Sequence, residues 1–371
     1  MLESAPDSSP AARIKNTGAR AKWLLRFFFG VALIGVLWKW QGAGSRAALE
    51  KISPALLLGV VLCYLATQVL SAAKWRLLLN AGLRAREITS DNISPDTTPQ
   101  LSLVECARFY LVGMFWNLWM PTSVGGDAMR AYLAGRRCRD YALAATSIFV
   151  ERLTGFLALL FIGAVGLTWQ IAQQIIAPEA GTSNTLAPAL STLLAGLGIT
   201  FAFFLLFFLT RRSLRRTEFN DSDVPQNFRQ KLMRLLFEAQ RALELYLQPQ
   251  TRGALWGALA MSLLFQSLQV LLNFALARAV GLELSMGNLA WIVPSLSIAS
   301  MLPLGIGGLG VREAAALGLV RGVLPNAAPG TIIAWSLCWQ ATVWLAALPG
   351  GVLHFLKREE NYESKYGERT L

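Results

Sequence analysis

The chain has 371 residues, 54% of them hydrophobic and 15% charged, with a net charge of +12. Soluble domains average roughly 25% charged residues, so this composition excludes an ordinary water-soluble globule. The positive charge sits at the ends of apolar blocks and not in a soluble basic domain, which argues against nucleic-acid binding and for topology signals and anionic-lipid contacts.

Residues 1–22 are polar, then basic, and read as a cytoplasmic tail. An apolar stretch at 23–40 follows and closes on Trp38, Lys39 and Trp40 with no small-residue cleavage site. It reads as a retained first span. Ser53 as N-cap and Pro54 in the first turn predict a second span over 54–73. Residues 84–100 are polar, contain Pro95 and Pro99, and read as a loop. Ser102 and Glu105 have the spacing of a capping box and open a helix that runs to Met120. Pro121 and the pair Gly125, Gly126 interrupt it, and a short helical stretch continues to Gly135.

Asp140 caps a span predicted over 141–169. A loop without Lys or Arg, 170–185, leads to a span at 186–210 and then to the basic run 211–216. Residues 228–247 place Phe228, Leu232, Leu235, Leu236, Ala239, Leu243 and Tyr246 on one face, with Arg234, Glu238 and Arg241 opposite. That pattern predicts an amphipathic connecting helix on the membrane surface. Residues 253–279 form another span. Stretches 288–301 and 309–320 are apolar but short, separated by Pro303, Gly305, Gly307 and Gly308. The last span covers 331–355, and 357–371 form a charged cytoplasmic tail.

The spacing of Lys and Arg orients these elements. Basic residues are dense at 13–26, 74–86, 130–139, 211–252 and 357–369, which the positive-inside rule assigns to the cytoplasm with both termini. The alternation closes only if the interrupted regions 102–135 and 288–320 re-enter on their own side. The predicted fold is an all-α integral protein of the inner membrane, a single transmembrane domain over 23–356, with about six full spans of bilayer length and two re-entrant broken helices.

The two broken regions share one pattern, Pro-x-x-x-Gly-Gly-x-x-x-Arg: Pro121, Gly125, Gly126, Arg130 and Pro303, Gly307, Gly308, Arg312. With opposite orientation, residues 54–169 and 253–356 form an inverted repeat, an arrangement that gathers binding groups near the midplane. The N–H groups that open the second half-helix attract anions.

The segments NLWMPTSVGGDAMR (117–130) and PLGIGGLGVRE (303–313), with Glu151, Arg152 and Gly155, resemble the lysylphosphatidylglycerol synthase/flippase transmembrane family. The resemblance extends from about Trp23 to Phe355. It implies a helical domain with two re-entrant segments and movement of a phospholipid, or another lipid with a charged or sugar head, between leaflets. Members joined to a soluble aminoacyl-transferase domain also synthesise the lipid. Here only the charged tail follows Phe355, so that domain and lysyl transfer are not expected.

Buried charge is expensive in a bilayer, about 2.5–3.5 kcal/mol at a helix centre on insertion scales. Arg108, Asp127, Arg130, Glu151, Arg152, Arg312 and Glu313 are the residues that would bear it. In the functional reading Arg130, Arg152 and Arg312 bind a lipid phosphate, while Asp127, Glu151 and Glu313 tune the site or contact a cationic head, and Asn117 is a further candidate for head-group contact. In the structural reading the same charges pair internally and lock the broken helices. Glu151 and Arg152 project roughly 100° apart and should take different partners. Gln266, Gln269 and Asn273 recur at helical spacing and face either the same cavity or a neighbouring helix. Tryptophans at span ends, such as Trp169 and Trp291, read as interfacial anchors.

Cys63, Cys106, Cys138 and Cys338 form no paired motif, and His354 stands at a span end, so neither a disulfide framework nor a metal or cofactor site is expected. The function expected is lipid translocation, without catalysis, on anionic or phosphate-bearing lipids, in association with a lipid-synthesising enzyme. The alternatives are an intramembrane enzyme acting on a polyprenyl-phosphate lipid, with Asp127 or Glu151 as base, and a non-transporting accessory of envelope lipid assembly.

Overall fold

A computed structural model describes residues 45–89, 100–119, 124–176, 244–301 and 310–366, and among these the regular structure is helical throughout. The elements are α1 (Pro54–Thr89), α2 (Leu103–Trp119), α3 (Val124–Cys138), α4 (Tyr141–Ile176), a 3-10 turn at Pro249–Thr251 leading into α5 (Arg252–Val280), α6 (Met286–Ser300), α7 (Val311–Val323) and α8 (Pro329–Tyr366).

Among the described residues four stretches are long and apolar enough to cross a membrane: Pro54–Ile88, Tyr141–Gln173, Pro249–Val280 and Pro329–His354. Helices α2, α3, α6 and α7 have 17, 15, 15 and 13 residues. At 1.5 Å per residue they reach about 20–26 Å, short of a hydrocarbon layer about 30 Å thick. The tail 1–22, the spans predicted at 23–40 and 186–210, most of the amphipathic helix 228–247, and the corners Pro121, Pro303, Gly305, Gly307 and Gly308 lie outside the described residues.

Local signals set the helix starts. Ser53 Oγ accepts the Leu56 N–H at 3.2 Å, and Asp140 Oδ1 accepts the Leu143 N–H at 2.9 Å. Ser102 and Glu105 form the reciprocal box: Glu105 N–H donates to Ser102 Oγ at 3.2 Å and Ser102 N–H to Glu105 Oε2 at 2.9 Å. The Ser102 N–H and a 2.9 Å pair with Arg137 hold the Glu105 carboxyl below the usual carboxylate range.

Helix ends run further than composition indicates. Helix α1 continues through the polar stretch to Thr89 because its distal half is anchored from outside. Tyr246 Oη donates to the Leu78 carbonyl at 3.0 Å, Asn80 clips both backbone groups of Leu101, and Arg86 pairs with Asp140. Helix α4 extends to Ile176, and α8 carries the charged tail on as helix to Tyr366. Trp169 is 55% exposed, as an interfacial anchor would be, whereas Trp291 is 1% exposed and belongs to the core. It sits mid-helix in α6, packed on α4 where a Cβ at Gly166 would meet its backbone.

Directions follow from side-chain pairing. Lys74 meets Ser262, Thr67 meets Gln269, and Leu77 faces Gly257, so α1 and α5 run antiparallel. Trp75 meets Ser147 while Lys74 meets Glu151, so α1 and α4 are also antiparallel. The main packings come in matched sets. Helix α1 packs on α5; α4 packs on α5 and α6 as α8 packs on α1 and α2; α2, α3 and α4 pack in series as do α6, α7 and α8.

Two apolar clusters fill the interior. One holds Trp75, Leu78, Leu79, Phe109, Leu143 and Ile148; the other holds Leu276, Trp291, Ile292, Leu296, Ile332 and Trp335. Along α1 the buried polar run Thr67, Gln68 and Ser71 separates the residues that join the two clusters, and Ser262 and Gln269 do so along α5.

Candidate functional site

The site begins where α3 opens. Gly126 lies so close to α2 that a Cβ there would collide with the Gly113 carbonyl and the Asn117 side chain. The approach lets Asn117 Oδ1 accept the Gly126 N–H at 2.7 Å, supplying a partner to one of the free donors at the helix start. Asp127 follows in the first turn, where its charge complements the helix dipole.

Arg130 lies nearly one turn on and is 1% exposed. Its guanidinium reaches Asp127 Oδ1 at 3.2 Å and Glu151 Oε2 at 3.0 Å. The guanidinium carbon also lies over the rings of Trp75 and Tyr110, with centroids at 4.4 and 4.2 Å. Glu151 Oε1 pairs with Lys74 Nζ at 3.1 Å. That ammonium also donates to the Glu151 carbonyl at 3.2 Å and to Ser262 Oγ at 3.1 Å, which occupies its three N–H bonds. Arg152 turns the other way, with Nε and Nη2 on Asp127 Oδ2 and Oδ1 at 3.0 and 2.8 Å. Glu151 and Arg152 do take different partners, as their angular separation requires. Lys74, Arg130 and Arg152 carry +3 and Asp127 and Glu151 carry −2, so the cluster holds a net +1.

Two cavities flank the cluster. A cavity of about 240 Å³ is bordered by Asn117, Asp127, Arg130 and Arg152 together with Gln68 and Gln340. The second, about 350 Å³, meets Lys74 and Glu151 but is otherwise mainly apolar, with Phe149, Phe156 and Leu159 in its wall. Tyr110, Arg152 and Phe265 belong to both walls. Arg152 is the accessible cation of the set: its side chain is 49% exposed, against 2% for Arg130 and 4% for Lys74.

Helix α7 opens differently. Gly310 has φ 83°, a conformation that favours glycine, and its N–H donates to Glu313 Oε2 at 2.6 Å. Ser336 Oγ donates to Glu313 Oε1 at 3.0 Å. Arg312 is buried, 3.4 Å from Asn273 Oδ1 and 5.6 Å from the Trp339 ring centroid, and its Nε has no partner among the described residues.

Of the residues singled out from sequence, Asn117, Asp127, Arg130, Glu151 and Arg152 meet in one cluster. Arg312 and Glu313 form a second, separate centre. Gln266 donates to the Gly155 carbonyl and Gln269 to Thr67, so they join helices; Asn273 links α5 to Arg312. Arg108 sits over the Phe109 ring at 5.2 Å, outside the cluster. Sequence reading missed Lys74, which it assigned to the cytoplasmic basic run, and Gln340. Lys74 could have been found: Thr67, Ser71 and Lys74 form a polar stripe at helical spacing, a face that a lipid-exposed helix would not carry.

A family model described as the lysylphosphatidylglycerol synthase TM region matches residues 23–350. No curated protein and no solved structure matches the chain.

Proposed function

The chain belongs to the lysylphosphatidylglycerol synthase transmembrane-region family, and from that premise we propose that it translocates a phospholipid or other polar-headed lipid between the leaflets of the inner membrane. The observation that carries this reading is the position of Arg152, half exposed in the wall shared by a polar and a mainly apolar cavity. A lipid needs such a junction, with its head on one side and its chains on the other. Asp127, itself partly buried, holds Arg152 there without neutralising the whole cluster.

An inverted repeat gives the site access to both sides. The antiparallel course of α1 and α5, the matched packings of the first and second sets of four helices, and the recurring Pro-x-x-x-Gly-Gly-x-x-x-Arg pattern all support it. In this reading α2–α3 and α6–α7 are re-entrant pairs entering from opposite faces, the spans number about six, and the termini are cytoplasmic by the distribution of basic residues.

Catalysis fits the cluster less well. Each of the four oxygens of Asp127 and Glu151 already accepts a hydrogen bond from a cation, and carboxylates held by cations are weak proton acceptors.

Purified protein in vesicles carrying a head-labelled anionic phospholipid tests the reading. The expected result is exposure of the inner-leaflet label to an impermeant quencher at least tenfold faster than in empty vesicles, with Arg152→Gln removing most of the gain. Rates equal to those of empty vesicles across several lipid classes would reject translocation. A chemically altered lipid recovered from the vesicles would favour an enzyme.

A further inference from the structure

We infer that the site selects a lipid with a phosphodiester of single negative charge and an uncharged, hydroxyl-bearing head, a polyol or a sugar, and that it excludes a cationic aminoacylated head. The inference rests on the lipid-handling reading above and specifies the substrate class of the same site.

The ion balance sets the sign of the charge. Asp127 Oδ1 is shared by Arg130 and Arg152, Oδ2 is held by Arg152, Glu151 Oε1 by Lys74 and Oε2 by Arg130. Every carboxylate oxygen of the cluster therefore already accepts from a cation, and an incoming ammonium must share one of them. It would also bring a fourth cation beside Lys74, Arg130 and Arg152. One monoanion, by contrast, cancels the net +1, and charge matching matters most where water is scarce.

The remaining groups describe the head. Arg152 uses Nε and Nη2 on Asp127, which leaves Nη1 for an anionic oxygen at the junction of the cavities. The other polar groups around the 240 Å³ cavity are all neutral: the amides of Gln68, Asn117 and Gln340, the phenols of Tyr64 and Tyr110, and the Trp344 indole. Gln340 is 7% exposed, faces this cavity and has no hydrogen bond among the described residues. Its amide can donate and accept at once, as a hydroxyl requires. Asn117 spends its oxygen on Gly126 and keeps its NH2 to donate. Leaving such buried groups unpaired is costly, so a head rich in hydroxyls satisfies them better than an alkylammonium. Phe149, Phe156 and Leu159 beyond the shared wall suit the acyl chains.

Binding to the full-length protein in detergent, measured by retained lipid in native mass spectrometry, tests this without requiring transport. The probes are short-chain phosphatidylglycerol, its lysyl ester, a phosphatidyl methyl ester that lacks head hydroxyls, and glycerol 1-phosphate without chains. We expect phosphatidylglycerol to bind at least tenfold more tightly than the lysyl ester and severalfold more tightly than the methyl ester. Arg152→Gln should bring the first ratio close to one, and Arg152→Lys, which keeps the charge, should retain most of it. Gln340→Leu should erase the advantage over the methyl ester alone. Equal or tighter binding of the lysyl ester to the wild-type protein overturns the inference, and that comparison needs no variant to fold. Glycerol 1-phosphate binding as tightly as the lipid would reassign the site to a soluble anion and overturn the lipid part. Translocation without anionic preference removes this inference and leaves the translocator; anionic preference without translocation does the reverse.

Discussion

Replacing Glu151 with glutamine is expected to destabilise the folded protein by about 3–5 kcal/mol, the cost of leaving buried charge without its counter-ion. Glu151 is 3% exposed and serves two cations at once, Lys74 at 3.1 Å and Arg130 at 3.0 Å. The neutral amide keeps the shape and loses the charge, so the cluster rises from +1 to +2 in a region from which water is largely absent. Lys74→Met should cost less, because Glu151 then keeps Arg130. The double variant isolates the pair: removing Lys74 and Glu151 together restores the net charge, and should be less damaging than the sum of the singles by at least about 1 kcal/mol, within the range found for contacting groups. Thermal unfolding in detergent, followed by size-exclusion recovery, reads all three. Strict additivity would mean that Lys74 and Glu151 are neighbours without coupling.

Gly126→Ala is expected to destabilise by about 1–3 kcal/mol or more, the usual penalty of overpacking, although it adds one methyl group. The new Cβ would collide with the Gly113 carbonyl and the Asn117 side chain, so α2 and α3 must separate. Separation breaks the 2.7 Å bond from the Gly126 N–H to Asn117 and shifts Asp127 and Arg130 relative to Glu151. Lipid transport should fall with stability. The control is Gly318→Ala in α7, where a Cβ meets nothing within 4 Å. There the same change should be neutral or should stabilise by up to about 1 kcal/mol through helix propensity alone. Equal effects at the two glycines in the unfolding assay would contradict the close approach of α2 and α3.

Much of the site was legible because its signals are local. Gly126 beside a proline-interrupted helix marks a backbone break, Asp127 a helix start, and the adjacent Glu151 and Arg152 a charged patch inside a span. Caps at Ser53, Ser102 and Asp140 are likewise short-range chemistry, and each forms its hydrogen bond. What escaped depends on other helices. Lys74 opens a basic run that composition assigns to the membrane surface, yet Glu151 and Ser262 hold its ammonium inside the bundle. The contact of Arg130 with the rings of Trp75 and Tyr110 joins three helices and leaves no pattern in any one of them. Asn117 reads from sequence as a candidate for head-group contact, and the role the sequence did not show is that its oxygen caps α3. The persistence of α1 to Thr89 depends on Tyr246, which is 168 residues away in sequence from the carbonyl it bonds.

The proposed opposition of the two halves has a direct test. In a protein whose four native cysteines are replaced, single cysteines at Arg139, in the turn between α3 and α4, and at Asn326, in the turn between α7 and α8, are exposed positions for an impermeant thiol reagent. Labelling of right-side-out and inverted vesicles should modify Arg139→Cys only from the cytoplasmic side and Asn326→Cys only from the opposite side. Modification of both from one side would contradict the inverted arrangement and the access to two leaflets that depends on it.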